Sequence, residues 1–142
     1  MTIKAILEGK GADVLSVPPS ASVKEAVALL SEKRIGALPV IENGAVLGIF
    51  SERDVIYGLA KEGGALLDRM VGDVMTAPAL TVAPDHPVMA GLSMMTRRRV
   101  RHLPVVEAGK VIGFISIGDL VKYRVDTIEA EAEAMREYIQ SA

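Results

Sequence analysis

The sequence contains no cysteine and no tryptophan among its 142 residues, and only two histidines, His86 and His102. The absence of cysteine excludes disulfide cross-links, thiolate metal sites and a cysteine nucleophile. Since the two histidines are not paired at helical spacing, neither a histidine zinc site nor a Cys-His dyad can be assembled. We therefore predict no catalytic residue and no metal site.

Long apolar runs and an excess of either charge are also missing. The chain has 16 Lys and Arg residues against 18 Asp and Glu residues, and its net charge of -2 gives no general attraction to nucleic acid or to an acidic membrane. No run approaches the length of a membrane span, and residues 1–8 are too few and too charged for a signal peptide. We expect a cytoplasmic protein with an ordinary aliphatic core.

What the sequence does contain is two copies of one unit. Residues 16–56 align with residues 81–121 without a gap. Identical pairs recur along the whole match, among them Val17/Val82, Pro19/Pro84, Arg34/Arg99, Leu38-Pro39-Val40/Leu103-Pro104-Val105, Gly48/Gly113, Ser51/Ser116 and Asp54/Asp119. Because such a duplication decides the fold class, it takes precedence over local signals.

Each copy shows the same order of signals for secondary structure. Apolar runs that end at proline, residues 14–17 and 79–82, predict a short strand. A capping box that begins at Ser22 predicts a helix, and Asn43-Gly44 between two apolar runs predicts a hairpin, which a second helix follows. We predict an α/β (α+β) fold of two β-α-β-β-α repeats. They should pack face to face with pseudo-two-fold symmetry, since one unit is too small to cover its own sheet.

We divide the chain into a lead-in helix and linker (1–13), repeat one (14–62), a connector (63–76), repeat two (77–124) and a C-terminal helix (125–142), with a break near Asp126-Thr127. Apolar residues in the last part recur at spacings of three and four: Val121, Val125, Ile128, Ala132, Met135 and Ile139. This stripe packs either on its own domain or on a symmetry-related copy. We favour the second interpretation, a homodimer.

Each copy has a corner with the pattern Gly-x-x-Ser-x-x-Asp, at Gly48–Asp54 and at Gly113–Asp119. The simplest interpretation is helix capping by Ser and Asp, with glycine permitting close packing. The corner occurs twice, however, and a helix N-terminus offers N–H groups and positive potential to a phosphate or ribose oxygen. We therefore predict two ligand sites in which the Asp accepts hydrogen bonds from vicinal hydroxyls.

A run of arginines precedes the Leu-Pro-Val strand of the second copy. The first arginines complement the end of a helix, whereas Arg101 and His102 lie beyond it and can reach phosphate oxygens in the cleft between the copies. The first copy has Gly36-Ala37 at those positions, and Arg53 in the first corner corresponds to Gly118 in the second. We predict unequal clefts, with a phosphorylated ligand held more tightly at the first corner.

The doubled unit, the Leu-Pro-Val strands, the corners and the connector sequence Val71-Gly72-Asp73-Val74-Met75-Thr76 resemble a pair of cystathionine-β-synthase (CBS) domains, also called a Bateman module. The resemblance covers nearly the whole chain and is closest to the small stand-alone bacterial members. It implies a non-catalytic regulatory module that binds AMP, ADP, ATP or NAD(H) as regulatory ligand, associates as a dimer through the CBS faces and controls a partner protein that the sequence does not identify.

The resemblance also implies a set of nucleotide-binding residues. Asp54 and Asp119 would hold ribose hydroxyls, and Ser51 and Ser116 ribose or phosphate oxygens. The phosphates would meet Arg101 and His102, with Arg53 adding positive charge at the first corner. The adenine would lie between the strands that open at Ser16 and Thr81, against apolar walls formed by Leu38, Ile49, Phe50 and Leu103.

Two other functions stay open. The chain could be a homodimeric protein-interaction adaptor that has lost its ligand, although an adaptor has no need of the Ser and Asp residues kept at both corners. Binding of RNA or DNA through the run from Arg97 to Arg101 would need a broader basic surface and stacking aromatics, which this acidic, aromatic-poor chain lacks.

Overall fold

The structure is a computed structural model that describes residues 1–11 and 13–141. The elements in chain order are α1 (Ile3–Lys10), α2 (Val23–Lys33), β1 (Ala37–Glu42), β2 (Ala45–Ser51), α3 (Glu52–Glu62), a 3-10 helix (Gly63–Asp68), α4 (Val71–Val74), α5 (Val88–Arg98), β3 (His102–Glu107), β4 (Lys110–Ser116) and α6 (Ile117–Ser141). Residue 12 of the predicted linker and residue 142 of the predicted C-terminal helix lie outside the described residues.

Each repeat is built around an antiparallel hairpin. Strand β1 pairs with β2, and β3 pairs with β4, with the register shift at the same place in both hairpins. In the first turn Asn43 and Gly44 have φ angles of 54° and 82°, the left-handed values for which Asn-Gly is suited. The two hairpins contact each other through β2 and β4. The predicted α/β fold with two similar repeats and a C-terminal helix is confirmed.

The apolar run that opens each repeat forms less strand than the sequence predicts. Within the described residues, Val17 makes a parallel bridge to Val40 and Val82 makes one to Val105, and no longer ladder is formed there. In a parallel ladder the next hydrogen bond back would require an N–H from Pro39 or Pro104, and proline has none. The strands predicted over 14–17 and 79–82 are therefore corrected to single bridges.

Each repeat has its own hydrophobic core, and the segment that precedes one repeat packs on the other. Ile3 and Ile6 of α1 belong to the core of the second repeat, whereas Leu66 and Val71 of the connector belong to the core of the first. The backbone contacts match as well, since Ile3 N–H donates to His86 O and Val71 N–H donates to Ala21 O. This exchange of lead-in segments holds the two repeats together.

The last helix of the second repeat and the C-terminal helix are one element, because α6 runs from Ile117 to Ser141 without interruption. The break predicted near Asp126-Thr127 is absent, because the helix continues through both residues. The Thr127 hydroxyl donates to Tyr123 O within the helix at 2.8 Å. The predicted stripe faces solvent: Val121, Val125, Ile128, Met135 and Ile139 are all exposed. Across the described residues, no helix combines the length and the apolar character that crossing a membrane requires.

Candidate functional site

The first corner joins β2 to α3 and is closed by hydrogen bonds to the carboxylate of Asp54. The backbone N–H of Ser51 donates to Asp54 Oδ2 at 2.9 Å, and the Ser51 hydroxyl lies 3.2 Å from the same oxygen. The hydroxyl of Thr76, in the connector, donates to Asp54 Oδ1 at 2.8 Å. The Asp therefore caps α3, as the simplest interpretation of the sequence predicts, and also binds the corner to the connector.

The second corner has the same capping but a different third partner. The Ser116 N–H donates to Asp119 Oδ2 at 2.8 Å, and the Asp119 N–H donates to the Ser116 hydroxyl oxygen at 3.1 Å. Lys10, at the end of α1, donates to Asp119 Oδ2 at 2.7 Å and to the carbonyl oxygen of Phe114 at 2.8 Å. Burial raises the pKa of Asp119, but the hydrogen bonds from Lys10 and Ser116 outweigh it and hold that pKa below its ordinary value.

The glycine that opens each corner permits the close approach of a lead-in segment. A Cβ placed on Gly48 would lie 2.7 Å from the carbonyl oxygen of Thr76 and 2.8 Å from the sulfur of Met75. A Cβ on Gly113 would collide with the side chain of Leu7. Each glycine thus lies against the lead-in segment that packs on its own repeat, which gives both a packing role independent of any ligand.

A cavity of about 180 Å³ lies between the repeats beside the first corner. It brings together five of the predicted site residues, which come from both repeats: Ile49, Ser51 and Arg53 from the first, and Arg101 and His102 from the second. The remainder of the lining includes the connector, from Thr76 to Leu80. The structure thus assembles a cleft of mixed apolar and basic character at the corner where the sequence places the phosphate-binding residues.

Among the polar residues that line the cavity, three were missed by the sequence reasoning: Glu52, Thr76 and Arg99. Arg99 has a left-handed φ of 55° at the end of α5 and matches Arg34, with φ 54°, at the end of α2. Because of that match, the sequence indicated only a structural role for Arg99, at the end of a helix. Glu52 lies in the first turn of α3, where an acidic residue is expected for helix stabilisation alone. Thr76 was detectable only as the last residue of the connector motif.

Three residues predicted as apolar walls lie elsewhere. Leu38, Phe50 and Leu103 have 0% exposure and belong to the two hydrophobic cores. Leu38 and Leu103 lie in β1 and β3 where four and three consecutive residues are buried, and Phe50 is buried in β2. The apolar lining of the cavity comes instead from Ile49, Pro78, Ala79, Leu80 and Val100.

The remaining predicted residues, Asp54 among them, do not line this cavity. Ser16 and Thr81 are half-buried and directly precede the bridging residues Val17 and Val82. Thr81 follows Ala79 and Leu80, which line the cavity. Ser116 and Asp119 lie at the second corner, beside Lys10. No structural result tests a ligand contact for any of these residues, and their roles stay predictions.

His102 lies between the two corners, and its ring stacks on Phe114 with 5.5 Å between ring centroids and 14° between planes. Burial lowers the pKa of His102, and the positive charges of Arg101 and Lys10 lower it further, against a weaker opposite effect of Asp119 and Glu52. The neutral imidazole therefore predominates at pH 7. It can hydrogen-bond a ligand, but the positive charge on this side of the cleft comes from the arginines.

Comparison with known proteins agrees with this architecture. The family model for the CBS domain matches residues 11–61 and 71–126. A curated relative, the mitochondrial CBS domain-containing protein CBSX3 of Arabidopsis thaliana, is 32% identical over 148 aligned positions, which cover 98% of this chain and 72% of the relative.

Solved structures superpose on most of the chain. A CBS-domain containing protein from Agrobacterium tumefaciens, ATU1752, is 40% identical, with a TM-score of 0.82 and coverage of 87% of this chain and 92% of the other. The structure of CBSX2 in complex with AMP is 31% identical, with a TM-score of 0.72 and coverage of 81% and 90%. The chain therefore belongs to the CBS-domain family, with one CBS domain in each repeat.

Proposed function

We propose that this CBS-domain pair is a regulatory module that binds an adenine nucleotide, AMP, ADP, ATP or NAD(H), at the first corner and acts by binding, not by catalysis. The observation that carries the proposal is the cavity lined by Ser51 and Arg53 of one repeat and by Arg101 and His102 of the other. The AMP complex of CBSX2, a similar CBS-domain pair, supports an adenine nucleotide as the ligand class.

The composition of the cavity suggests how the ligand lies. Its volume of about 180 Å³ is below the roughly 300–1,000 Å³ of common ligand sites, so a nucleotide must extend beyond it. We place the adenine against Ile49, Leu80 and Val100, and the phosphates at the guanidinium groups of Arg53 and Arg101, which bind phosphate oxygens in bidentate geometry.

The ribose is placed at Ser51 and Asp54. A carboxylate oxygen has about two lone-pair sites, so Asp54 can accept a ribose hydroxyl in addition to the hydrogen bonds from Ser51 and Thr76. Because Thr76 both lines the cavity and contacts Asp54, the connector is part of the same site.

A ligand that touches both repeats provides a mechanism of regulation. Binding changes the arrangement of two parts only when the ligand has different affinities for two arrangements. A nucleotide between Arg53 and Arg101 would favour the arrangement in which both guanidinium groups reach its phosphates. The altered packing of the repeats would then be transmitted to a partner protein.

We also propose that the module is a homodimer through the outer faces of α3 and α6. Exposed apolar side chains lie on both helices, with Ile56 and Leu59 on α3 and Val121, Val125 and Ile128 on α6. An apolar surface of this kind is typical of a protein interface. Sedimentation velocity would test it: Ile128→Glu should shift the chain from dimer to monomer, whereas a monomeric wild-type chain would contradict the proposal.

Titration calorimetry with AMP, ATP and NADH tests the nucleotide site. We expect binding of at least one of these nucleotides, and a loss of affinity of about tenfold or more in Arg101→Ala. Arg98→Ala is the matched control, because Arg98 lies at the end of α5 and does not line the cavity. Absence of binding by all three nucleotides, with an intact dimer, would favour the adaptor function instead.

A further inference from the structure

The two corners differ in what contacts the Asp carboxylate from outside the repeat. At the first corner a neutral hydroxyl, that of Thr76, donates to Asp54 Oδ1 at 2.8 Å. At the second corner the ammonium group of Lys10 donates to Asp119 Oδ2, at 2.7 Å. Thr76 follows α4 and Lys10 ends α1, so each comes from the lead-in segment that packs on that repeat.

Lys10 also satisfies the backbone at this corner. Its ammonium donates to the carbonyl oxygen of Phe114 at 2.8 Å, whereas the matching carbonyl, that of Ile49, accepts from the Thr76 N–H at 2.9 Å. The lysine side chain therefore occupies the place that the connector backbone occupies at the first corner. The two arrangements differ in charge, because the ammonium group of Lys10 is positive and the backbone N–H of the connector is neutral.

We propose that Lys10 is an internal cation that competes with the ribose hydroxyls of a nucleoside for Asp119, so that the second corner binds adenosine more weakly than the first. This inference rests on the proposed nucleotide function and assigns to Lys10 a part in deciding which corner is filled.

The position of Lys10 makes the competition effective. Helix α1 is fixed on the second repeat by Ile3, with 0% exposure, and Leu7 lies against Gly113 at the start of the corner. The backbone of Lys10 is thereby held near Asp119, so that formation of the pair costs only the rotamer freedom of the lysine side chain. A nucleoside must replace a charge-assisted hydrogen bond with hydrogen bonds from neutral hydroxyls, which are weaker.

The expected effect is moderate because the pair is partly solvated. The side chains of Lys10 and Asp119 are 42% and 27% exposed, so water and salt screen part of their attraction. We expect Lys10 to weaken adenosine binding at the second corner by about tenfold or less, a factor that corresponds to about 1.4 kcal/mol at most.

Adenosine titrations followed by NMR, with the backbone amides of Ser51 and Ser116 as reporters of the two corners, test the proposal. Adenosine has no phosphate, so the result is free of any attraction between Lys10 and a phosphate group. Lys10→Met should lower the dissociation constant seen at Ser116 by up to about tenfold and leave that at Ser51 unchanged. Lys4→Met, at an exposed position on the same helix, should change neither.

Two outcomes would overturn the proposal alone. One is adenosine binding at Ser51 with an unchanged or higher dissociation constant at Ser116 in Lys10→Met. The other outcome concerns the ligand-free chain: Lys10 reacts with acetic anhydride as fast as Lys4, and Asp119→Asn does not accelerate the reaction of Lys10. Absence of binding at both corners by adenosine, AMP, ATP and NADH alike would overturn the proposed function, and this proposal with it.

Discussion

The hydroxyl of Thr76 donates to the carboxylate of Asp54 at 2.8 Å and thereby joins the first corner to the segment that leads into the second repeat. The backbone of Thr76 is held as well, since its N–H and its carbonyl each form a 2.9 Å hydrogen bond with Ile49. Thr76 and Ile49 both line the cavity, and Asp54 is joined to it through Thr76. The shape of the cavity therefore depends on the position of the connector.

Removal of the Thr76 hydroxyl should weaken that connection. We expect Thr76→Val to lower the free energy of unfolding by about 1 kcal/mol, because Asp54 loses a hydrogen bond at a partly solvated position. Chemical denaturation measures the loss. Thr96→Val is a control, since the Thr96 hydroxyl donates to Leu92 O within its own helix. An equal loss in the two variants would contradict a special role for Thr76.

The corner glycines allow a comparison between the repeats. Gly48→Ala places its Cβ against the backbone of Thr76, whereas Gly113→Ala meets the flexible side chain of Leu7. Overpacking against backbone should cost about 1–3 kcal/mol in Gly48→Ala, and Gly113→Ala should cost less. Thermal unfolding of the two variants checks the order. A larger loss in Gly113→Ala would show that the connector yields more easily than α1.

Glu52 is an acidic residue in a cavity that is also lined by Arg53, Arg99 and Arg101. Its negative charge should oppose a phosphate group, so Glu52→Gln should tighten AMP binding by about 1.4- to fivefold, which corresponds to the roughly 0.2–1 kcal/mol expected of an exposed charge pair. Glu42→Gln, at the exposed end of β1, should leave the affinity unchanged. Weaker binding in Glu52→Gln would place the phosphates away from the first helical turn of α3.

His102 should titrate below its ordinary pKa of 6.5, because burial and the neighbouring cations disfavour the imidazolium. As the pH falls below 6.5, His102 becomes protonated in the unfolded chain, whereas in the folded chain it becomes protonated only at a lower pH. Stability therefore falls as the pH is lowered from 6.5 through the depressed pKa of His102. NMR titration of the ring measures the pKa, and His102→Gln should remove this part of the pH dependence. A pKa above 6.5 would contradict the burial of the ring.

The repeat made most of the fold predictable from the sequence. The hairpin at Asn43-Gly44 and the capping at Ser51 and Ser116 depend on neighbours a few residues away, and such signals are local. The strand lengths were wrong because the missing N–H of Pro39 limits a ladder whose partner lies far along the chain.

The cavity lining could be predicted only in part, for a physical reason. Successive side chains of a strand, such as those on either side of Leu38 and Phe50, point to opposite faces of the sheet. In a sheet that is covered on both faces, this alternation does not show which face is turned to a ligand. The contact of Lys10 with Asp119 joins positions separated by 109 residues and leaves no local pattern. The contact depends on the packing of α1 on the second repeat, which the sequence does not indicate.

The central claim is that an adenine nucleotide lies at the first corner in preference to the second. Asp54 and Asp119 cap their helices in the same way, so Asp54→Asn and Asp119→Asn are controls for each other. The most direct measurement is the dissociation constant of AMP for both variants by titration calorimetry, with thermal unfolding to confirm that both are folded. We predict a loss of about tenfold or more in Asp54→Asn and a clearly smaller loss in Asp119→Asn. An equal loss in the two variants, or a larger one in Asp119→Asn, would contradict the claim.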